Sequence, residues 1–244
     1  MTNTKEQHYK LVGLCICICL ATLLCFATGP AIAQEITRIL PLGDSITQGG
    51  KERPSYRRTL WLKLKQHGYN VDFVGSQTEF HKASPPDKLL DFDLDHEGHW
   101  GWEANEIAHS LPTWLESYTA DIALVHLGTN DFNRGEPIPH TLNDLDSVLS
   151  LLRQSNPDIT ILLAKIVPIR FKSTRKFNNA LGEWASTKST PRSKLILVDQ
   201  YTNYYSLFYN YDRYHPNSWG EEKMANQWFD ALSAILKPEP APIQ

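Results

Sequence analysis

Three short stretches of this 244-residue chain carry side-chain types that together could perform acyl transfer: Gly43-Asp44-Ser45, Gly128-Thr129-Asn130-Asp131 and Asp212-Arg213-Tyr214-His215-Pro216. A serine hydroxyl becomes a useful nucleophile only when an imidazole within hydrogen-bond reach takes its proton and a third group orients that imidazole. His215 and Asp212 stand three residues apart. On one turn the carboxylate can accept from one ring nitrogen and leave the other facing Ser45. The oxyanion that develops on an attacked carbonyl needs hydrogen-bond donors, and the Ser45 amide, a glycine amide and the Asn130 side chain would form such a set. Ser45 lacks the G-x-S-x-G frame of the α/β-hydrolase elbow, because Thr47 stands where the second glycine belongs. Taken singly, each piece has an ordinary explanation: Ser45 as a helix N-cap, Asn130 and Asp131 as turn formers, His215 as a loop histidine, Asp212 as a second cap. The ordered combination points to chemistry.

Positioning these residues falls to five apolar, β-branched-rich runs, ITRILPLG, NVDFVGS, DIALVHLG, ITILLAKIV and KLILVDQ, each followed by a segment with helical spacing. SYRRTLWLKLKQHG ends in a glycine cap, and HTLNDLDSVLSLLRQSNP sets Leu142, Leu145, Leu149 and Leu152 on one face before Pro157. Further helices are expected over residues 174–187 and 218–236. The alternation predicts an α/β fold with a parallel sheet covered on both faces. Ligands of such sheets bind beyond the carboxyl ends of the strands; Ser45 follows the first run and Asn130 the third. Residues 34–236 read as a single domain, and the proline-rich KPEPAPIQ of residues 237–244 as a flexible tail. Residues 76–98 are too long and too weakly periodic for an ordinary connection and read as a functional loop.

Residues 1–33 read as a signal peptide: Lys5 and Lys10 precede an apolar run from Leu11 to about Thr28, and Ala31-Ile32-Ala33 has the A-x-A arrangement that predicts cleavage before Gln34. An uncleaved N-terminal anchor is the alternative. All four cysteines, Cys15, Cys17, Cys19 and Cys25, lie in that run. The mature chain therefore has no disulfide, no cysteine nucleophile and no thiolate metal site. It is expected to be secreted or periplasmic, and large enough to be stable on core burial alone. Losing Lys5, Glu6 and Lys10 moves the formal charge from −3 to −4. With no basic stripe and no Rossmann or P-loop pattern, nucleic acid and nucleotide partners are unsupported. Aromatic-rich stretches such as HWGWEAN and NYYSLFYNYDRYH suit sugar faces, although packing accounts for most Trp and Tyr in any protein. Asp91, Asp93, Asp95 and Glu97 alternate in DFDLDHEG; without an EF-hand glycine the stretch reads as a solvated acidic loop rather than a Ca²⁺ site.

The three blocks together resemble the SGNH, or GDSL, hydrolase superfamily. PLGDSITQGG, SYRRTLW, VDFVGS, DHEGHWGW, HLGTND and YHPNSWGEEKMANQW are further similar to carbohydrate esterase family 3, the acetylxylan esterases, over most of residues 36–236. The resemblance implies a flavodoxin-like three-layer α/β/α sandwich with a five-stranded sheet in the order 2-1-3-4-5, which sets Ser45 and Asn130 at one crevice. It implies Ser45, His215 and Asp212 as catalytic residues, with an oxyanion hole of the Ser45 and Gly101 amides and Asn130. Gly98 is the other glycine that HEGHWGW offers; Gly101 is preferred because it precedes the helical stretch WEANEIAHSL, whose N-terminus favours negative charge. Tyr56 and Arg57 match the family's Ser-Tyr-Arg and could contact substrate or pack. Asp44, Trp100, Trp102 and Tyr214 complete the candidate substrate contacts, with Asp44 read as bracing the turn rather than doing chemistry. Trp100, Arg213 and Tyr214 depart from the family pattern and reshape the mouth of the site. The expected activity is removal of acetyl or other short acyl groups from carbohydrate, acetylxylan first, without metal or organic cofactor. A lipase or lysophospholipase, an esterase of bacterial or host glycans, and a non-catalytic carbohydrate-binding protein on the same fold are the rivals.

Overall fold

The computed structural model describes residues 35–50 and 53–238. The expected signal peptide with its cysteines, and residues 239–244 of the expected tail, lie outside the described residues. Six parallel strands form one sheet: β1 (Thr37–Gly43), β2 (Val71–Phe73), β3 (Glu97–Gly98), β4 (Ile122–His126), β5 (Thr160–Ala164) and β6 (Leu195–Val198). The order is β2-β1-β4-β5-β6, with β3 paired to β1 beside β2. Each apolar run of the sequence supplies one strand, in the spatial order 2-1-3-4-5. β3 is an addition: β2 pairs with Thr37 to Ile39, and β3 takes over the same edge at Leu42 and Gly43.

Strand alternation divides the core into two layers. Leu40, Leu42, Ala123, Val125, Ile161 and Leu163 face one way and are fully buried. Ile39, Ile122, Leu124, Leu162 and Ala164 face the other. Among the described residues the α-helices are α1 (Ser45–Gln48), α2 (Ser55–Gln66), α3 (Ala104–Trp114), α4 (Thr129–Arg134), α5 (Ile138–Ser155), α6 (Arg175–Ala185), α7 (Ser206–Tyr209) and α8 (Ser218–Ser233). Helices α3, α5 and α6 cover the first face through Ile107, Leu111, Leu145, Leu149 and Leu181. Helices α2 and α8 cover the second through Tyr56, Leu60, Leu64, Met224 and Trp228. This is the three-layer sandwich. Burying both faces explains why the strands read as continuous apolar runs.

Two helix starts differ from expectation. α5 begins two residues early, because Pro139 is tolerated in a first turn where its missing N–H has no partner to lose. α3 begins at Ala104, after Trp102, because Glu103 holds the extended cap conformation and its amide donates to Glu106 Oε2 at 2.8 Å. The long connection after β2 is tied off at its base, where Gln77 and His96 exchange backbone hydrogen bonds of 3.1 and 2.9 Å. Among the described residues no helix is long and apolar enough to cross a membrane.

Candidate active site

β1 ends in Gly43, where a Cβ would stand 2.7 Å from the His126 carbonyl oxygen, so only glycine lets the chain turn this close to β4. Asp44 then caps α1: its Oδ1 accepts from the Ile46 amide at 2.9 Å. This leaves Ser45 as the first helical residue rather than the cap, at the carboxyl edge of the sheet. Its Oγ lies 2.8 Å from His215 Nε2, and His215 Nδ1 lies 2.7 Å from Asp212 Oδ2. The other carboxylate oxygen of Asp212 accepts from the His215 and Tyr214 amides at 2.7 and 2.8 Å. Burial opposes ionisation of Asp212, but the hydrogen bonds from the His215 ring and these amides outweigh it and hold the carboxyl below its ordinary value. An ionised Asp212 fixes the imidazole with Nε2 free to take a proton from Ser45.

The two candidate glycines differ in backbone setting. The Gly98 amide donates to His96 Nδ1 at 2.9 Å, and a Cβ there would collide with the Gln48 backbone, so Gly98 is a packing glycine between β3 and α1. Gly101 has φ +81° and open space beside its Cα, so its requirement is conformational. It occupies a turn closed by the Trp102 amide on the His99 carbonyl at 3.2 Å, two residues ahead of the α3 cap. The expected helix N-terminus is therefore not what presents its amide. The turn itself is held from both neighbouring blocks: Gln48 Oε1 accepts from the Trp100 amide at 2.9 Å, and Arg134 Nη2 donates to the Gly101 carbonyl at 2.9 Å. Asn130 Nδ2 donates to the Trp102 carbonyl at 2.8 Å, which sets the amide plane and leaves its second hydrogen for a ligand. Asp131 accepts from the Ala104 amide at 3.1 Å and so caps α3 from α4.

The candidate substrate contacts divide. Trp100 stacks on His215 at 4.5 Å between ring centroids and on His81 at 4.2 Å, forming a wall of the site. The Tyr214 hydroxyl is spent on Asn133 Oδ1 at 3.1 Å, with its ring edge-on to His215. Trp102 packs on His99 at 4.6 Å. Asp44, Tyr56 and Arg57 are fully buried and cannot meet substrate. Tyr56 shares a hydrogen bond with Thr47 Oγ1 at 3.1 Å. Arg57 donates to the carbonyls of Thr47, Gln48 and Leu94 at 2.9, 3.0 and 2.7 Å, pinning the end of α1. Burial pushes the Asp44 carboxyl up to about 7 and pulls the Arg57 guanidinium down to about 10.

The acidic stretch is solvated at Asp91, half-buried at Asp93 and Asp95, and buried at Glu97. Asp91 pairs with Arg58 at 2.6 Å, Asp93 accepts from the Phe73 amide at 2.9 Å, and Glu97 points into the core. Among the described residues no group of three or more His, Cys, Asp or Glu side chains is placed to hold a metal ion. Glu97 accepts from Ser76 Oγ at 2.8 Å and Tyr118 OH at 2.6 Å, and its Oε1 meets His99 Nε2 at 2.8 Å. His99 is stacked between Trp102 and Trp114. This buried pair anchors the Gly101 turn and was not expected from sequence. The available signal was the two-residue spacing of Glu97 and His99 in HEGHWGW, which puts both side chains on one side of an extended segment.

The cavity beside Ser45 holds only about 10 Å³, lined by Gly50, Arg53, Trp100, Tyr211, His215 and Glu221. Burial pushes the Glu221 carboxyl up to about 7 against the opposing charge of Arg53.

This sheet order, with a serine, an asparagine and an Asp–His pair gathered at its carboxyl edge, is the SGNH hydrolase fold. The chain belongs to the GDSL-like Lipase/Acylhydrolase family, whose sequence model matches residues 42–223. It is similar to a family 3 carbohydrate esterase of Talaromyces cellulolyticus, with a TM-score of 0.72 and 29% identity, covering 82% of this chain and 98% of that one. The family 3 carbohydrate esterase of Clostridium thermocellum superposes with a TM-score of 0.70 and 29% identity, covering 83% of this chain and 100% of that one. A multidomain esterase of Ruminococcus flavefaciens is 26% identical over an alignment of 264 positions that covers 98% of this chain but 34% of that protein. The chain thus spans about a third of the length of that relative.

Proposed function

We propose that this chain is a secreted serine esterase that removes acetyl or other short acyl groups from carbohydrate, with acetylated xylan the leading substrate. The carrying observation is the hydrogen-bonded line from Ser45 Oγ through His215 to Asp212, at 2.8 and 2.7 Å. In this reading Ser45 Oγ bonds to the ester carbonyl carbon while its proton passes to His215 Nε2. The Ser45 and Gly101 amides and the Asn130 side chain receive the oxyanion. Collapse breaks the bond to the sugar oxygen, which takes the proton from His215 Nε2 and leaves as a hydroxyl. Water then gives a proton to the same nitrogen as it attacks the acyl-serine, and the carboxylic acid leaves with Ser45 restored.

The small cavity walled by Trp100 supports a short acyl group over a fatty one, and the names of the family 3 relatives support a carbohydrate ester. Residues 34–236 form the catalytic domain in this reading, acting after export and cleavage behind Ala33. The test is acetate release from acetylated xylan and other acetylated glycans beside a p-nitrophenyl acyl series. A maximum at long acyl chains would overturn the short-acyl reading in favour of a lipase.

A further inference from the structure

The catalytic reading leaves the aromatic stretch after β6 unused. Tyr205, Phe208 and Trp219 are 61%, 68% and 66% exposed and lie together, the clustered exposure of large aromatic side chains that marks an interaction surface. They border a groove of about 600 Å³ between α7 and the first turns of α8, whose remaining wall includes Glu222, Lys223 and Asn226. Trp219, Glu222, Lys223 and Asn226 recur at three- and four-residue steps, so α8 presents them along one face. Aromatic rings and hydrogen-bonding side chains therefore line the same channel.

The groove is joined to the catalytic residues by one hairpin. The Asn217 amide donates to the Tyr209 carbonyl at 2.7 Å, and the Tyr211 amide to the His215 carbonyl at 3.1 Å. Asp212 and His215 stand at the closed end of this hairpin, with Phe208 and Trp219 just beyond its open end. Asn217 Nδ2 fastens the two sides by donating to the Phe208 carbonyl at 2.7 Å. Within α8, Glu221 faces the cavity beside Ser45 while its neighbour Glu222 faces the groove. The cavity and the groove thus lie against adjacent faces of the same helical turn.

The lining chooses the occupant. A lipid tail or an apolar protein face would strip water from Glu222 and Lys223 without replacing their hydrogen bonds. A pyranose presents an apolar C–H face, which matches an exposed indole or phenyl ring, and a rim of hydroxyls, which matches carboxylate, ammonium and amide groups. We propose that the groove between α7 and α8 is a glycan-binding site, holding unreacting sugar units of the polysaccharide whose acyl ester reaches Ser45. The proposal rests on the carbohydrate esterase reading, and it makes the protein a binder of the polymer as well as a catalyst on it.

Trp219→Ala and Phe208→Ala test it, since both side chains are exposed and neither supports the core. On acetylated xylan polymer each variant should raise KM by about tenfold, in the range that loss of one aromatic anchor produces, with kcat on p-nitrophenyl acetate unchanged. In the Ser45→Ala background, native gels containing deacetylated xylan should retard the protein, and Trp219→Ala should release it. Unchanged KM and unchanged mobility on xylan, mannan and β-glucan would overturn the site. So would a Trp219→Ala effect confined to self-association in sedimentation or to binding of phosphatidylcholine vesicles. Hydrolysis of p-nitrophenyl acetate reports separately on the esterase: its absence, with gel retardation intact, would sink the catalytic reading and leave the groove standing.

Discussion

His215 Nε2 lies 2.8 Å from Ser45 Oγ across 170 residues of sequence, and the two are brought together by neighbouring helices of the sandwich's second layer. Ser45 rides on the turn after β1, which Arg57 of α2 braces. His215 rides on the hairpin that leads into α8, and α2 and α8 pack against each other over the same sheet face. Ser45→Ala should therefore lower kcat on p-nitrophenyl acetate by a factor on the order of 10³ or more and abolish labelling by a serine-directed fluorophosphonate. Asp212→Asn should keep the fold and lose on the order of 10² to 10⁴ in kcat. Labelling that persists in Ser45→Ala would remove the proposed nucleophile.

Asn130 spends one side-chain hydrogen on the Trp102 carbonyl at 2.8 Å and keeps the other for the site. A donor that acts on a developing charge lowers the barrier without tightening ground-state binding. Asn130→Ala should cost on the order of 10² to 10³ in kcat with KM nearly unchanged. A loss carried mainly by KM would instead make Asn130 a substrate contact.

Arg57 is completely buried and satisfies three backbone carbonyls, those of Thr47, Gln48 and Leu94. Arg57→Met takes the donor from the Gln48 and Leu94 carbonyls, while the Thr47 carbonyl keeps the Ser55 hydroxyl at 2.9 Å, at about 1–3 kcal/mol for each buried group left unpaired. Chemical denaturation should show a loss of several kcal/mol, and Arg57→Lys should recover little of it, because one ammonium cannot reproduce the guanidinium fork. A variant as stable as the parent would show that the carbonyls find other partners.

Glu221 is pushed up to about 7 by burial, from an ordinary 4.5. The fold thus prefers its neutral form: the stability it permits is complete below about 4.5 and is lost as pH rises through about 7. Glu221→Gln removes this dependence. The variant should melt at the same temperature as the parent near pH 4 and higher at pH 8, by a margin on the order of 1–3 kcal/mol. Melting curves that run parallel across this range would contradict the buried, titrating carboxyl.

The sheet was legible because strands buried on both faces leave unbroken apolar runs, and the first and third runs ended just ahead of Ser45 and Asn130. Ser45, Asn130 and the Asp212–His215 pair could be picked out by type and order, since a carboxylate three residues from an imidazole needs only one turn to reach it. What escaped was whatever depended on burial. Arg57 and Tyr56 read equally well as substrate contacts or packing groups until their full burial was seen. Glu97 looked like one of four alternating surface acids, yet it sits beneath the Gly101 turn with His99. The two-residue β3 is too short to leave any periodicity, although it carries the chain that leads to the Gly101 turn into place beside β1.

The stacking of Trp100 on His215, with ring centroids 4.5 Å apart, gives the site an optical property. A protonated imidazole in van der Waals contact quenches indole emission far more strongly than a neutral one. If His215 is the base, the fluorescence of Trp100 should therefore respond to the charge on that histidine, without an added label. The protein carries its own reporter of the base it is proposed to use.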